Sequence, residues 1–365
     1  MFHLKKISLN QLVCLVTLTQ VGVHVLTIPY DESRHSGHDS WMSILIGGVF
    51  AQLAIILIYQ LGKRYPDQSL PQYIVLILGK PLGILVNALF AAFFAESTLM
   101  IVVSYADVMN RWVLFETPWI VLVGLSVFIV AFVAASSLRS IATLTQSFMG
   151  MFLICVVIIC ISGIGKGDWR HFFPIGTHGF GAVLKDTLPA FWAYAGYELL
   201  YYSFPFVACR KKSHILLAMS VANGLTTLFY FIISVIVMYN FSENQLKVIS
   251  EPMVFILRKF RWPVVQSLDI VFMTIWLSVT TITAFVYLFL SARYLAFVGR
   301  KENRRHVLLV WVIASMVFGI GSWFADKQTL FSFIDFHHIM SILFTAVLPV
   351  FLLLVSFVRG KVMNE

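Results

Sequence analysis

The stretch FWAYAGYELL at 191–200 places a glycine, Gly196, two residues before a carboxylate, Glu198, inside an otherwise apolar run. An ionisable group held in hydrocarbon is costly, so it marks either a functional site or a hydrogen-bonded tie between helices. Five carboxylates fall in runs of this kind: Glu96, Asp107, Glu198, Asp269 and Asp335. Asp107, Asp269 and Asp335 lie near the outer ends of their runs, where water is close. Glu96 and Glu198 lie deep. Glu198, beside a glycine that can open a helix, is the leading candidate for a gating or proton-sensing group, with Glu96 second. His24 stands in the same relation to Gly22 in TQVGVHVLTIPY. It reads as a packing residue, as one half of a pH-sensitive pair with Glu198, or as a polar floor to a ligand site. Tyr194, two residues before Gly196, is the aromatic best placed to line a pocket. Thr280, Thr281 and Thr283 in SVTTITAF most simply bond carbonyls of their own helix. A pair of such hydroxyls also suits a ligand or, as a weaker candidate at Thr280 and Thr281, a Na+ ion.

The elements that must position these groups are membrane helices. Of 365 residues, 59% are hydrophobic and 12% charged, with mean hydropathy +0.88; soluble domains carry about a quarter charged residues. A bilayer core takes about 20 apolar residues per helical span. Ten segments satisfy this: 7–29, 40–60, 82–110, 118–136, 143–164, 186–208, 214–240, 264–298, 307–324 and 336–358. The connections are short and polar and leave no room for a soluble catalytic domain. No Walker loop, HExxH, CxxC or serine-nucleophile elbow occurs, so the chain reads as no enzyme and as needing no cofactor.

The net charge of +9 would point to nucleic acid in a soluble protein. Here the basic residues encode orientation instead. With a cytoplasmic N-terminus, sixteen of the 26 Lys and Arg fall on inner segments, and four of the others lie in the single long connection 241–263. The short outer loops are therefore poor in cations, as the positive-inside rule requires, and both termini are expected in the cytoplasm. The inner loop RKENRR reads as an anchor near anionic headgroups, and 241–263 as a short amphipathic helix on the outer surface. The first run is not a cleaved signal peptide, because it is long and no small-residue cleavage site follows it. Cys14, Cys155, Cys160 and Cys209 show no metal spacing and read as packing residues.

Gly22 and Pro29 interrupt the first span, and Gly196 and Pro205 the sixth, while the two spans run in opposite directions. Interruptions at matching places in two halves are the mark of an inverted repeat, here 1–180 and 181–365. Opened backbone must face protein or a wet cavity, so two opened helices at mid-membrane define a small-molecule site.

FWAYAGYE resembles the sixth-helix motif of the amino acid–polyamine–organocation transporter superfamily. GVHVLTIP with DSW at 39–41, YPDQSLPQYIVLILGKPLG at 65–83, FETP at 115–118, DWRHFFPIGTHGFG at 168–181 and YELLYYSFPF at 197–206 narrow the match. In that order they resemble the B subunits of spore germinant receptors, the spore germination permeases. The resemblance implies an all-α integral membrane protein of ten helices with a leucine-transporter-like 5+5 inverted repeat. It implies ligand contacts from Gly22, Val23 and His24 on the first helix, Phe93 and Ser97 on the third, Tyr194 and Gly196 on the sixth and Thr283 on the eighth. It further implies residence in the inner membrane of an endospore, A and C subunits as partners, and a small-molecule germinant as ligand, with no nucleic acid partner. The alternative is an H+- or Na+-coupled amino acid transporter of the same superfamily. One departure stands out: the family's first break reads Gly, any residue, Gly, whereas this chain has Gly22-Val23-His24, so the ligand need not be a simple α-amino acid.

Overall fold

The computed structural model describes residues 6–165, 167–259, 268–299, 305–324 and 327–358; the side chains of Val23, of residues 327–332 and of Asp335 fall outside that description. Among the described residues fifteen α-helices follow one another: α1 (Leu9–Gln20), α2 (Ser40–Arg64), α3 (Leu70–Leu78), α4 (Lys80–Trp112), α5 (Trp119–Ala134), α6 (Leu138–Gly163), α7 (Phe180–Ala193), α8 (Leu200–Ser203), α9 (Ser213–Asn240), α10 (Glu243–Leu246), α11 (Pro252–Lys259), α12 (Leu268–Val298), α13 (His306–Gly321), α14 (Lys327–Ile342) and α15 (Leu348–Val358). Short polar signals start several of them. Ser8 and Gln11, Ser69 and Gln72, and Ser242 and Gln245 each form a capping box, in which side chain and backbone satisfy one another's free N–H groups.

These helices make the ten spans expected. Among the described residues, six stretches are long and apolar enough to cross a bilayer alone: Gly37–Arg64, Lys80–Trp112, Leu138–Gly163, Ser213–Asn240, Leu268–Val298 and Phe336–Val358. α5 and α13 are apolar but shorter, at 16 residues each. The first and sixth spans do not register as single helices because both are broken. The tenth is continuous but carries a π-helical turn at Leu343–Val347 that joins α14 to α15. The long connection expected on the outer side folds into α10 and α11, and α11 buries Met253, Val254, Ile256 and Leu257. Its remainder at 260–263, like most of RKENRR, lies outside the described residues.

The packing places the broken spans at the centre. α12 runs along α4, α2 packs against α7 and α9, and α1 is enclosed by α6, α9 and α12. α11 lies over the outer end of the first break. The faces turned away from this centre are apolar: Leu125, Phe128 and Phe132 on α5, Leu153 and Val157 on α6, Phe351 and Leu354 on α15 are all exposed. That much contiguous apolar surface is stable against lipid and not against water. All four cysteines are free.

Candidate functional site at the two helix breaks

α1 stops at Gln20. Val21 and Gly22 leave helical geometry, and the chain resumes as a 3-10 turn at Val23–Leu26. α7 stops at Ala193; Gly196 follows with φ 133°, then a 3-10 turn at Tyr197–Leu199 and α8. Glycine is required at 196 for two reasons. That φ disfavours any side chain, and a Cβ there would stand 2.8 Å from the Gln20 nitrogen and the Thr19 carbonyl carbon. The two breaks therefore touch each other.

Opened backbone needs partners, and neighbouring spans supply them. The Tyr230 hydroxyl on α9 sits 2.8 Å from the Gln20 carbonyl and 3.0 Å from the Ala193 carbonyl, bridging the ends of α1 and α7. Gln20 Nε2 donates to the Tyr194 carbonyl at 3.0 Å, and its Oε1 accepts from Thr226 at 2.9 Å. Thr283 Oγ1 on α12 donates to the Thr19 carbonyl at 3.0 Å. Glu198 is fully buried. Its Oε2 accepts the Gly196 N–H at 2.7 Å, and its Oε1 accepts from the Tyr287 hydroxyl. The carboxylate thus caps the restart of its own span and ties it to α12.

The outer side is closed by the connection after the first break. His24 Nε2 meets Glu32 Oε1 at 2.7 Å, so its partner is this outer acid rather than Glu198. The Glu32 side chain is 0% exposed although its sequence, DESRHSGHDS, reads as a solvated loop. Asp186 on α7 latches the connection, accepting from the backbone N–H groups of His35 at 2.9 Å and Ser36 at 2.6 Å and from the Ser36 hydroxyl. Further out, Glu243 meets His178 at 3.2 Å, His38 at 3.4 Å and Lys247 at 3.0 Å. Burial works to raise the Glu243 pKa, yet the hydrogen bonds from Lys247 and His178 hold it below the usual carboxylate value.

The expected residues fall into groups. Gly22, His24, Gly196, Glu198 and Thr283 gather at the breaks; a Cβ on Gly22 would meet only Thr283 Oγ1, at 3.7 Å. The Val23 side chain lies outside the described residues. Phe93 stacks on Phe344 with centroids 4.6 Å apart, and Ser97 spends its hydroxyl on the Phe93 carbonyl at 2.8 Å. Tyr194 points away, its hydroxyl donating to the Ile44 carbonyl of α2 at 3.1 Å. Thr280 and Thr281 bond carbonyls of their own helix, at 3.0 and 2.8 Å. Glu96 pairs with His337 of α14 at 2.8 Å. Asp107 pairs with Arg111 and Asp269 with Arg258 near the outer face; the Asp335 side chain lies outside the described residues.

Several groups were not singled out from sequence. Glu32, Tyr230 and Tyr287 hold the breaks, and His337 and His338 form the wall contributed by the tenth span, His338 stacking on Trp192 with centroids 3.7 Å apart. The adjacent pair His337-His338, in an apolar run that already holds Asp335, was the readable signal for that wall. Glu32 Oε2, Glu96 Oε1 and Trp192 Nε1 are buried without a hydrogen-bond partner among the described residues. Such groups are the ones a bound polar molecule or water satisfies. Among the described residues no group of three or more His, Cys, Asp or Glu has metal-holding geometry.

Comparison with known proteins agrees with this architecture. A family model described as "Spore germination protein" matches residues 6–330. The spore germination protein GerQB of Bacillus cereus is 23% identical over 270 residues, 72% of each chain. The spore germination protein YndE of Bacillus subtilis (strain 168) is 22% identical over 357 residues, 96% of each chain. Among solved structures, MhsT in complex with L-phenylalanine superposes with TM-score 0.69 at 14% identity, covering 95% of this chain and 88% of the other. Mhp1, a nucleobase-cation-symport-1 family transporter in a closed conformation with bromovinylhydantoin bound, gives 0.70 at 13% identity, covering 100% and 81%. The fold is the leucine-transporter-like 5+5 inverted repeat with broken first and sixth helices.

Proposed function

The chain belongs to the spore germination protein family and is a permease-like multi-pass membrane protein, and from that premise we propose that it is the ligand-binding subunit of a germinant receptor. Its ligand is a small nutrient, an amino acid or similar molecule, held between the two breaks and triggering germination. The observation that carries this reading is the asymmetric first break. No carboxylate of its own turn returns to the break as Glu198 does to the Gly196 N–H, and His24 is engaged by Glu32 of the outer closure. A ligand arriving at the break therefore competes with a contact that holds the outer side shut, which couples occupancy to a conformational change. In this reading Gly22, Val23, His24, Phe93, Ser97, Gly196 and Thr283 surround the ligand. Tyr194 supports the pocket from behind, and Glu198 and Glu96 act as gating groups. A and C subunits complete the receptor in the inner membrane of the endospore, with both termini of this chain cytoplasmic.

The transporter fold also suits ion-coupled uptake, and purified protein in liposomes separates the two. Saturable binding without accumulation is expected; uptake driven by a H+ or Na+ gradient would replace the receptor reading with a transporter. His24→Gly restores the family's Gly, any residue, Gly pattern and removes the Glu32 contact. It should change ligand preference, read by thermal shift against a panel of amino acids, sugars and nucleosides, more than it changes protein abundance. Equal loss of both would make His24 a packing residue.

A further inference from the structure

A second polar feature lies at the end of the bundle that carries the basic loop RKENRR. Arg293, in the last two turns of α12, is 8% exposed and forms no ion pair or hydrogen bond among the described residues; its Nε is occluded and unpartnered. Its guanidinium lies 5.0 Å from the centroid of the Phe289 ring. His306, the first residue of α13, packs against the same ring with centroids 5.2 Å apart. His306 is 5% exposed, donates from Nε2 to the Ala134 carbonyl at 3.0 Å, and keeps a buried Nδ1 without a partner.

A buried guanidinium without an anion is costly, because desolvation is severe and nothing returns the lost hydration. The Phe289 face offsets only part of that, since a cation–π contact contributes about 0.5–2 kcal/mol. The surroundings favour negative charge. α13 begins at this place with no side-chain cap on its free N–H groups, and a helix start attracts anions. In sequence, the connection from α12 to α13 carries four cations and one carboxylate, Glu302.

We propose that Arg293 and the start of α13, beside His306, form a binding site for a phosphate-bearing anion, at the basic end of the bundle between the eighth, ninth and fourth spans. A guanidinium offers two parallel N–H groups that match two phosphate oxygens, and the α13 N–H groups suit a third. The phosphate comes from an acidic phospholipid headgroup or from free phosphate, and one experiment tells these apart.

The full chain, purified in detergent, is unfolded thermally with dioleoylphosphatidylglycerol, with zwitterionic dioleoylphosphatidylcholine, or with inorganic phosphate. Phosphatidylglycerol should raise the midpoint and phosphatidylcholine should not. Arg293→Met should weaken the effect by about tenfold or more, the expected loss for one charged hydrogen-bonding group. Arg293→Lys keeps the charge without the fork and should fall between, which covers the case where Arg293→Met fails to fold. If inorganic phosphate reproduces the Arg293-dependent shift, the ligand is free phosphate; if only the phospholipid does, it is the headgroup. A shift of equal size in wild type and both variants, or no shift with either source, overturns the site. Glu302→Gln matching the instability of Arg293→Met in phosphate-free detergent would also overturn it, by giving Arg293 a partner within the chain.

Discussion

The two helix breaks occupy matching places in the repeat, yet they are held differently. The sixth span carries its own support: Gly196 turns the chain, and Glu198 two residues later captures the freed Gly196 N–H and the Tyr287 hydroxyl. The first break has no equivalent. The end of α1 is bonded from other spans by Thr283 and Tyr230, the Gln20 side chain is spent on the Tyr194 carbonyl of the other break, and the one polar side chain in the turn, His24, faces the outer closure. A self-capped break is a fixed wall. A break held by others is the one that can rearrange, and the lesson is that matched interruptions in an inverted repeat need not share a role.

Glycine substitution separates the two most sharply. Gly196→Ala combines an unfavourable φ with a backbone clash at 2.8 Å. Strain of that kind costs about 1–3 kcal/mol before the clash is counted, so a total of about 3 kcal/mol or more and a large drop in thermal midpoint are expected. Gly22 has φ −103°, and an added methyl meets only Thr283 Oγ1 at an ordinary 3.7 Å. Gly22→Ala should therefore fold within about 1 kcal/mol of wild type while altering ligand binding. Equal damage from both substitutions would erase the distinction between wall and moving part.

Glu198→Gln probes the cap itself. The amide oxygen can still accept from Gly196, but the Tyr287 hydroxyl loses its carboxylate, for an expected cost of about 1–2 kcal/mol. Tyr287→Phe should cost a similar amount, and the double variant less than the two together, because both remove one bond. The response to ligand should fall while the protein stays in the membrane. Additive costs, or a wild-type dose–response in Glu198→Gln, would mean the carboxylate does not hold the sixth break through Tyr287.

What could be read beforehand followed from local chemistry. Ten apolar runs, two glycine-interrupted spans and a deep carboxylate after Gly196 are all encoded within a few residues of each other, and the architecture agrees with them. Pairings between distant segments were not legible. Glu32 sits in a run rich in Asp, Ser and His that reads as solvated, and only the folding of that connection onto α7 buries it against His24. Tyr230 and Tyr287 are ordinary aromatics in apolar helices until the breaks come within reach of their hydroxyls. The matching breaks suggest a pair between His24 and Glu198, and nothing local in the sequence says that the outer connection turns back to reach His24 first.

The smallest effect concerns the closure over the first break. Glu243 joins three outer segments, through His38 of the connection that bears Glu32, His178 and Lys247. Its folded pKa is depressed, so its contribution is complete above the unfolded carboxylate value of about 4.3 and is lost as pH falls below that through the folded value. His38, whose pKa burial holds below the usual histidine value, gains charge on the way down and strengthens its pair with the carboxylate until it protonates. The wild-type thermal midpoint should therefore fall more than that of Glu243→Gln between about pH 5 and pH 3, the difference closing at the acid end. With 19% of the side chain exposed, solvent screening keeps the gap small. A gap that persists unchanged at low pH would show that Glu243 supports the closure by shape rather than by charge, and that the closure over the first break is not under electrostatic control.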